Sequence, residues 1–556
     1  MKDAAQRVIV LGLDGASFDI LLPLIKENKL PHLAWVMKEG VWGELRSTIP
    51  PYSAQAWASM ATGVNQGKHG IVDFWRVSKG NVRHGVVDST LIRSDALWGI
   101  LSRHGKRVGV VNVPLTYPPL EVKGYMVSGF MTPRGKTDYT YPPDLREEIL
   151  EATGEYDPDP YDPISPSKRL LEEYLYWMRR KEEANRFLLS RYPGDFFISV
   201  VQALDQIQHF FWSVLDEHHP FHDPSQAKRY QGMIEECYRL VDDVVGQRLG
   251  LLDEKTSLFI ISDHGFGPAH KWFQVNKFLS ELGLLVLKKE PPLKYLIRRV
   301  GLTPQNMRSM VHRSDVFGLR RRIGRWLRMG LSKRMETTLA LPINWEKTAA
   351  YSGSPTSEGI YINLKGRDSE GIVEPGREYE RVRDLIMDEL LRFKDPETSE
   401  PVVDKVYRKE EIYGGPYLLL LPDIVFSTGS SPYMPRDDVS ATKVVERIPP
   451  RGYVEGRHTL PGIFMAIGST IGKGTITGAK IVDIAPTILY AMGLPVPRDM
   501  DGKVLEDSFC EEYGGARPIR YEDRESTLRE REEASVYTDE ETREIEERLR
   551  GLGYWG

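Results

Sequence analysis

A set of short, unbroken apolar runs, each ending abruptly in polar or glycine residues, limits the fold more than any other feature. Residues 8–13 are apolar and rich in β-branched side chains, and they stop at Asp14-Gly15. Residues 196–201 lead into Gln202-Ala203-Leu204-Asp205, and residues 257–261 into Ser262-Asp263-His264-Gly265. Residues 463–468 follow Gly456-Arg457-His458-Thr459. A run without polar alternation predicts a strand buried on both faces, as in a parallel sheet covered by helices. Further strands are expected at 41–47, 107–113, 125–130, 360–364 and 423–427. Helical patterns stand at 18–26 and 170–192, a helix begins at Asp483, and a capping box at Thr538 starts a last one. The expected fold is α/β, a doubly wound, mostly parallel sheet sandwiched by helices. Sites in such sheets form outside the carboxyl ends of the strands, where Asp14 and Asp263 fall.

The chain has 556 residues, room for about two to four units of ordinary size. The expected division is a first core part at 1–285, a basic helical cap insertion at 286–340, a second core part at 341–510, and a charged tail with a terminal helix at 511–556. Residues 132–166, rich in Pro and Tyr and without periodicity, read as a long surface excursion. The net charge of -5 argues against nucleic-acid binding by bulk attraction. Cys237 and Cys510 form no CxxC or zinc-finger spacing, which points to free thiols in a reducing compartment. No apolar run reaches the length of a signal peptide or a membrane span, so the expected location is cytoplasmic. The stretch 288–334 interleaves Arg298-Arg299, Arg320-Arg321-Arg322, Arg325 and Arg328 with apolar residues. It can pack as a helical cap or lie on an anionic membrane surface, peripheral at the inner face. The cap is favoured, because the apolar residues form no single stripe.

Several polar groups have the chemistry of a site. Pro50-Pro51 halt the chain, and Ser53 then stands at the head of an Ala-rich run that ends at Gly63. A hydroxyl there is either an ordinary helix cap or a group poised beside N–H donors that suit a phosphoryl oxygen. Asp205 and His209 are one helical turn apart and face the same way. Asp263-His264 stand at a strand end before glycines, and His458 stands just ahead of a strand. Together with Asp14 these are three carboxylates, three imidazoles and one hydroxyl, a nitrogen and oxygen set suited to two divalent ions such as zinc or manganese. Gly63 to His69 is a near miss to a P-loop: the glycine spacing is one short, and His69 replaces the hydroxyl residue. The His-rich segment 216–222 sits in a polar, proline-broken stretch that no strand end positions.

The order of these pieces resembles the alkaline phosphatase superfamily. The pieces are Leu-Asp-Gly at Asp14, Ser53 ahead of Thr62-Gly63 with His69-Gly70 following, the Asp205/His209 pair, Asp263-His264-Gly265, and His458. The branch resembled is the type I phosphodiesterase/nucleotide pyrophosphatases, and within it the group described as predicted phosphohydrolases or phosphomutases. The ending at 549–554 also looks like the tails of that group. The resemblance implies an alkaline phosphatase-like fold in which Asp14, Ser53, Asp263 and His264 hold one ion, and Asp205, His209 and His458 the other. The ions implied are zinc, with manganese as the alternative. Ser53 would attack phosphorus and form a phosphoseryl intermediate that water hydrolyses. One departure stands out. An Asn that donates to a phosphoryl oxygen in nucleotide pyrophosphatases is matched here by Phe74, which has no donor. Either Lys68, His270 or Lys271 serves instead, or the substrate differs, which leaves monoesters and lipid-linked phosphates open beside diesters. Ser53-Ala54-Gln55-Ala56-Trp57 lacks the Pro and Arg of a sulfatase motif. The expected partner is a phosphorylated small molecule or a lipid-linked phosphate, with anionic membrane contact through 288–334 as an addition. A phosphomutase or phosphotransferase is the neighbouring alternative. A membrane-surface protein with a structural metal site is the remote one, since structural sites are closed by four protein ligands and Ser53 has no place in one.

Overall fold

Ten strands build the main sheet: β1 Arg7–Leu13, β2 Val41–Arg46, β3 Val108–Val111, β4 Gly124–Val127, β5 Thr140–Tyr141, β6 Phe196–Val201, β7 Thr256–Ile261, β8 Pro461–Gly468, β9 Gly474–Thr475 and β10 Ala479–Lys480. Their order is β9-β2-β8-β7-β1-β6-β3-β4-β5, with β10 also on β2. The run β7-β1-β6-β3-β4 is parallel throughout. β8 runs antiparallel between β7 and β2, and β5 is antiparallel to β4. In the computed structural model the described residues are 7–77, 83–160, 166–288, 343–353, 358–429, 431–449, 454–515, 517–523 and 536–552. Apart from Lys288, the basic stretch 288–334 lies outside them.

The pleat of β1 sends Ile9, Leu11 and Leu13 to one apolar cluster and Val8 and Val10 to another. Helices cover both faces. Phe18–Lys26, Pro31–Glu39, Lys168–Arg191, Ala203–Leu215 and Pro224–Leu249 pack on the first. Trp57, Met60 and Ala61 of the Ser53–Thr62 helix, with Leu97–Arg103 and Ile484–Ala491, pack on the second. Each aliphatic side chain buried this way is worth about 1.5–3 kcal/mol. The expected doubly wound, mostly parallel sheet between helices is what the chain forms.

Two segments differ from expectation. Among the described residues of 341–510, expected as the second core part, only β8, β9 and β10 enter the main sheet. The strands Ala350–Tyr351, Gly359–Ile362, Ile424–Ser427 and Lys405–Arg408 instead form, in that order, a separate antiparallel sheet. Helix Arg377–Arg392 packs on it around Phe273, Phe278, Ile386 and Phe426. Buried Asp423 ties this unit together, accepting from Ile362 N–H at 2.8 Å, from Arg367 at 2.7 and 2.8 Å, and from Lys409 at 2.8 Å. The stretch 132–166 holds the strand Thr140–Tyr141 and the helix Leu145–Thr153, and it buries Tyr139, Leu145, Ile149 and Asp159. The terminal helix Asp539–Gly551 closes over it: Arg548 donates to Asp159 Oδ2 at 2.6 Å and to Thr132 O at 2.9 Å. Proline and tyrosine hide this packing from a periodicity search, because aromatic rings bury without a helical or alternating spacing. Among the described residues no helix is long and apolar enough to cross a membrane.

Candidate active site

Strand register brings the site together. Gly12 of β1 lies opposite both Val200 of β6 and Ile261 of β7, so three neighbouring strands end level. Asp14 follows β1, Asp205 sits in the first turn of the helix after β6, and Asp263 and His264 follow β7. Gly15, with φ at +70°, makes the turn that joins them: its N–H donates to Asp263 Oδ1 at 3.2 Å, and its carbonyl accepts from Gln208 Nε2 at 2.8 Å. A side chain at residue 15 would meet the Asp205 backbone at 3.2 Å as well as the unfavourable φ.

His458 arrives from far along the chain. Its strand, Gly456–Thr459, pairs antiparallel with Gly265–Pro268 and sets His458 opposite Phe266. The His458 and His264 rings therefore stack, with centroids 3.6 Å apart and planes 19° from parallel. Ser53 opens the helix Ser53–Thr62; Tyr52 is its cap residue and no side chain caps it. The Ser53 hydroxyl is thus not spent on capping. It donates to His264 Nε2 at 3.1 Å.

All seven expected groups, Asp14, Ser53, Asp205, His209, Asp263, His264 and His458, are buried and meet in one pocket. The imidazoles share a hydrogen-bond pattern. His209 Nδ1 lies 3.2 Å from Gly456 O, His264 Nδ1 3.1 Å from Gly265 O, and His458 Nδ1 3.0 Å from Pro51 O. A carbonyl only accepts, so each Nδ1 carries a proton and each ring turns its Nε2 toward the other site groups. Burial, followed by His458 as the main like-charge effect, pushes His209 down to about 4. Burial and then His264 push His458 well below the usual histidine range.

The consequence is a cluster crowded with acceptors. His458 Nε2 is 3.0 Å from His209 Nε2 and 3.0 Å from Asp205 Oδ1, which is 3.5 Å from His209 Nε2. His264 Nε2 is 3.2 Å from Asp263 Oδ2 and 3.6 Å from Asp14 Oδ1. Asp14 Oδ1, Asp205 Oδ1 and Asp263 Oδ2 find no geometric hydrogen-bond donor among the described residues. Burial first, then Asp263 and Asp205, holds the Asp14 carboxyl well above its ordinary range; burial also raises Asp205 and Asp263. Lone pairs packed this closely call for cations. Edges of 3.0–3.5 Å suit the about 3.3 Å between ligands of a tetrahedral ion bound at about 2.0–2.1 Å. Two groups with ligand atoms within 4.8 Å of one another can hold an ion: Asp14, Asp263 and His264; and Asp205, His264 and His458.

Residues 8–429 match the family model for type I phosphodiesterase/nucleotide pyrophosphatase. The chain belongs to that family. It is accordingly a phosphoric ester hydrolase of a metal-dependent family, and its acceptor cluster fits that dependence. This family member also matches solved structures. Phosphonoacetate hydrolase from Sinorhizobium meliloti 1021 in complex with phosphonoacetate aligns with a TM-score of 0.50 at 15% identity, over 88% of this chain and 95% of that one. Its complex with phosphonoformate gives 0.52 at 15% identity, with the same coverage. Human ectonucleotide pyrophosphatase/phosphodiesterase 5 gives 0.44 at 14% identity, over 89% and 97%. At 15% identity the two phosphonoacetate hydrolase structures speak for the fold alone. No curated protein matches the sequence.

The substrate-binding candidates of the phosphodiesterase-family fold have partners of their own. Lys68 Nζ pairs with Asp501 and donates to Asp499 O at 2.9 Å. Lys271 Nζ pairs with Asp395 inside the smaller unit. The His270 ring lies 5.7 Å from His219, and burial pushes it down to about 4. Phe74 is buried edge-on against Phe130 at 5.7 Å. In the His-rich segment, His219 Nδ1 accepts from Phe221 N–H at 3.2 Å and His222 Nδ1 is 2.7 Å from Ser213 O, so both serve the local turn. His69 of the near-miss loop is 2.9 Å from Ser59 Oγ and accepts from Ile71 N–H at 3.1 Å.

The sequence reading does not single out two further residues. Trp57, one helical turn beyond Ser53, donates to Asp14 Oδ2 at 3.1 Å; its spacing from Ser53 was the available sign. Arg457, beside His458, is buried 3.6 Å from Glu358 of the smaller unit, and nothing local in the sequence marks that pair.

Proposed function

We propose that the protein hydrolyses phosphodiester or pyrophosphate bonds, or phosphomonoesters, of small phosphorylated molecules, with Ser53 as nucleophile and two divalent cations, zinc first and manganese second. The observation that carries this reading is the convergence of three inward-facing Nε2 atoms and three orphaned carboxylate oxygens on the pocket that contains Ser53 Oγ. Asp14, Ser53, Asp263 and His264 would hold one ion, and Asp205, His209 and His458 the other. Bound cations supply a lowered hydroxyl pKa and neutralisation of phosphoryl charge.

The chain's own groups do the rest. The N–H groups of the first turn after Tyr52 have no helical acceptor and, with the helix dipole, favour a phosphoryl oxygen beside Ser53. Ser53 Oγ attacks phosphorus in line; its bond to phosphorus forms as the bond to the leaving oxygen breaks, giving phosphoserine. Water then attacks the phosphoserine, and phosphate or its monoester leaves with Ser53 restored. Backbone carbonyls at Pro51, Gly456 and Gly265 keep the three imidazoles turned inward throughout. Phe74 removes the side-chain amide that would grip a second phosphoryl oxygen, which favours substrates other than nucleotide diesters. The test is hydrolysis of a panel of aryl mono- and diesters by protein loaded with zinc or manganese, alongside Ser53→Ala. Turnover should vanish in Ser53→Ala while the ion held by Asp205, His209 and His458 still binds; undiminished turnover would remove Ser53 as nucleophile.

A further inference from the structure

We infer that Trp57 is a positioning residue: its indole N–H fixes the Asp14 carboxylate so that Oδ1 faces the cation site, and it locks the Ser53 helix to the end of β1. This rests on the metal-dependent reading above. Trp57 Nε1 donates to Asp14 Oδ2 at 3.1 Å. The other oxygen, Oδ1, accepts nothing and stands 3.6 Å from His264 Nε2. A carboxylate has two ways to turn, and one donor on one oxygen chooses between them; outer hydrogen bonds of this kind set ligand orientation at metal sites. The ring itself is held by packing. It is buried in the same apolar cluster as Val10, Val200 and Phe464, and it fills a slot that Gly12 leaves open. A Cβ at residue 12 would come 2.5 Å from Trp57 Cη2, 3.3 Å from Cζ3 and 2.8 Å from Val200 Cγ2. Residues 12, 14 and 57 thus form one device: the glycine admits the ring, the ring aims the N–H, and the N–H aims the carboxylate. Trp57 lies one turn from Ser53 on the same helix, so the device also fixes the nucleophile relative to the ligand.

A buried Trp that merely packs needs none of this. Trp98 is the comparison: it belongs to the same apolar cluster, and its Nε1 has no hydrogen-bond partner among the described residues. The test uses the full-length protein, stripped with chelator, and zinc affinity read by competition with a chromophoric chelator. Trp57→Phe removes the donor and keeps most of the ring. Gly12→Ala keeps the donor and displaces the ring. Both should weaken the tightest zinc site by about 10–100-fold with the circular dichroism of the wild type, while Trp98→Phe should leave zinc affinity unchanged. Wild-type affinity in a folded Trp57→Phe or Gly12→Ala protein would overturn the inference. So would loss of fold in both, which would assign Trp57 to the core alone. If the wild-type protein itself binds no zinc, the metal-dependent reading fails instead, and the two failures are told apart.

Discussion

Asp263→Asn should make the metal-free protein more stable while loosening its hold on zinc. Asp14 and Asp263 offer oxygens within 4.8 Å of each other in a buried pocket. Two full charges at that separation repel by about 3.5 kcal/mol at an effective dielectric of about 20. Burial holds both carboxyls above their ordinary range, with the Asp263 and Asp205 charges adding to it at Asp14 and the Asp205 charge at Asp263, so part of the charge is absent and the recoverable energy is about 1–3 kcal/mol. Asn is close to isosteric, and its Oδ1 keeps the bond from Gly15 N–H, now 3.2 Å. Its Nδ2 adds a donor where acceptors crowd. Urea unfolding of chelator-treated protein should therefore move to a higher midpoint with an unchanged slope. The same substitution removes a charged ligand, and zinc affinity should fall at least about 100-fold, beyond the cost of losing an outer contact. A metal-free Asp263→Asn protein that unfolds earlier than wild type, or one that binds zinc as tightly, would refute the reasoning, since the carboxylate would then be serving the fold.

Other outcomes follow from the same contacts. Glu358 is buried and its carboxyl is pushed up from 4.5 to about 7, against the opposing pull of Arg457. Between those values the folded protein keeps a proton that the unfolded chain has released, so stability falls as pH rises through about 4.5–7, by up to about 3 kcal/mol. Glu358→Gln should flatten that fall in pH-dependent urea midpoints; an unchanged slope would reject the assignment. Arg248 is buried and grips Glu182 with both terminal nitrogens, at 2.8 and 2.7 Å, joining helices Lys168–Arg191 and Pro224–Leu249. Arg248→Ala should cost about 3–5 kcal/mol in chemical denaturation and leave KM and zinc affinity alone; a mild loss would mean that water or another group takes over the carboxylate.

Much of the site was legible because parallel strands announce themselves. An apolar run that stops dead at Asp14 or Asp263 marks both a buried strand and its carboxyl end, and three such ends lie level in one sheet. Asp205 and His209 were legible from helical spacing. His458 was legible only as a polar residue ahead of a strand; the pairing with Gly265–Pro268 that stacks it on His264 is long-range. Three kinds of feature left no local trace. The smaller unit is built from strands of two to four residues that carry too few positions for a period to show. The 132–166 segment packs through aromatic rings and Asp159 beneath a helix from the far end of the chain. Trp57 and Arg457 look like a core aromatic and a surface cation in sequence, and only their partners, Asp14 and Glu358, give them another role. Lys68 and Lys271, plausible phosphate ligands by charge, are committed to Asp501 and Asp395, which sequence separation conceals.

Crystals grown with zinc and measured at its absorption edge test the central claim most directly. Anomalous density is expected at two points in one pocket, one among Asp14, Ser53, Asp263 and His264 and the other among Asp205, His209 and His458. Density only at surface histidines, with the three Nε2 atoms and the orphaned carboxylates still facing one another, would contradict it.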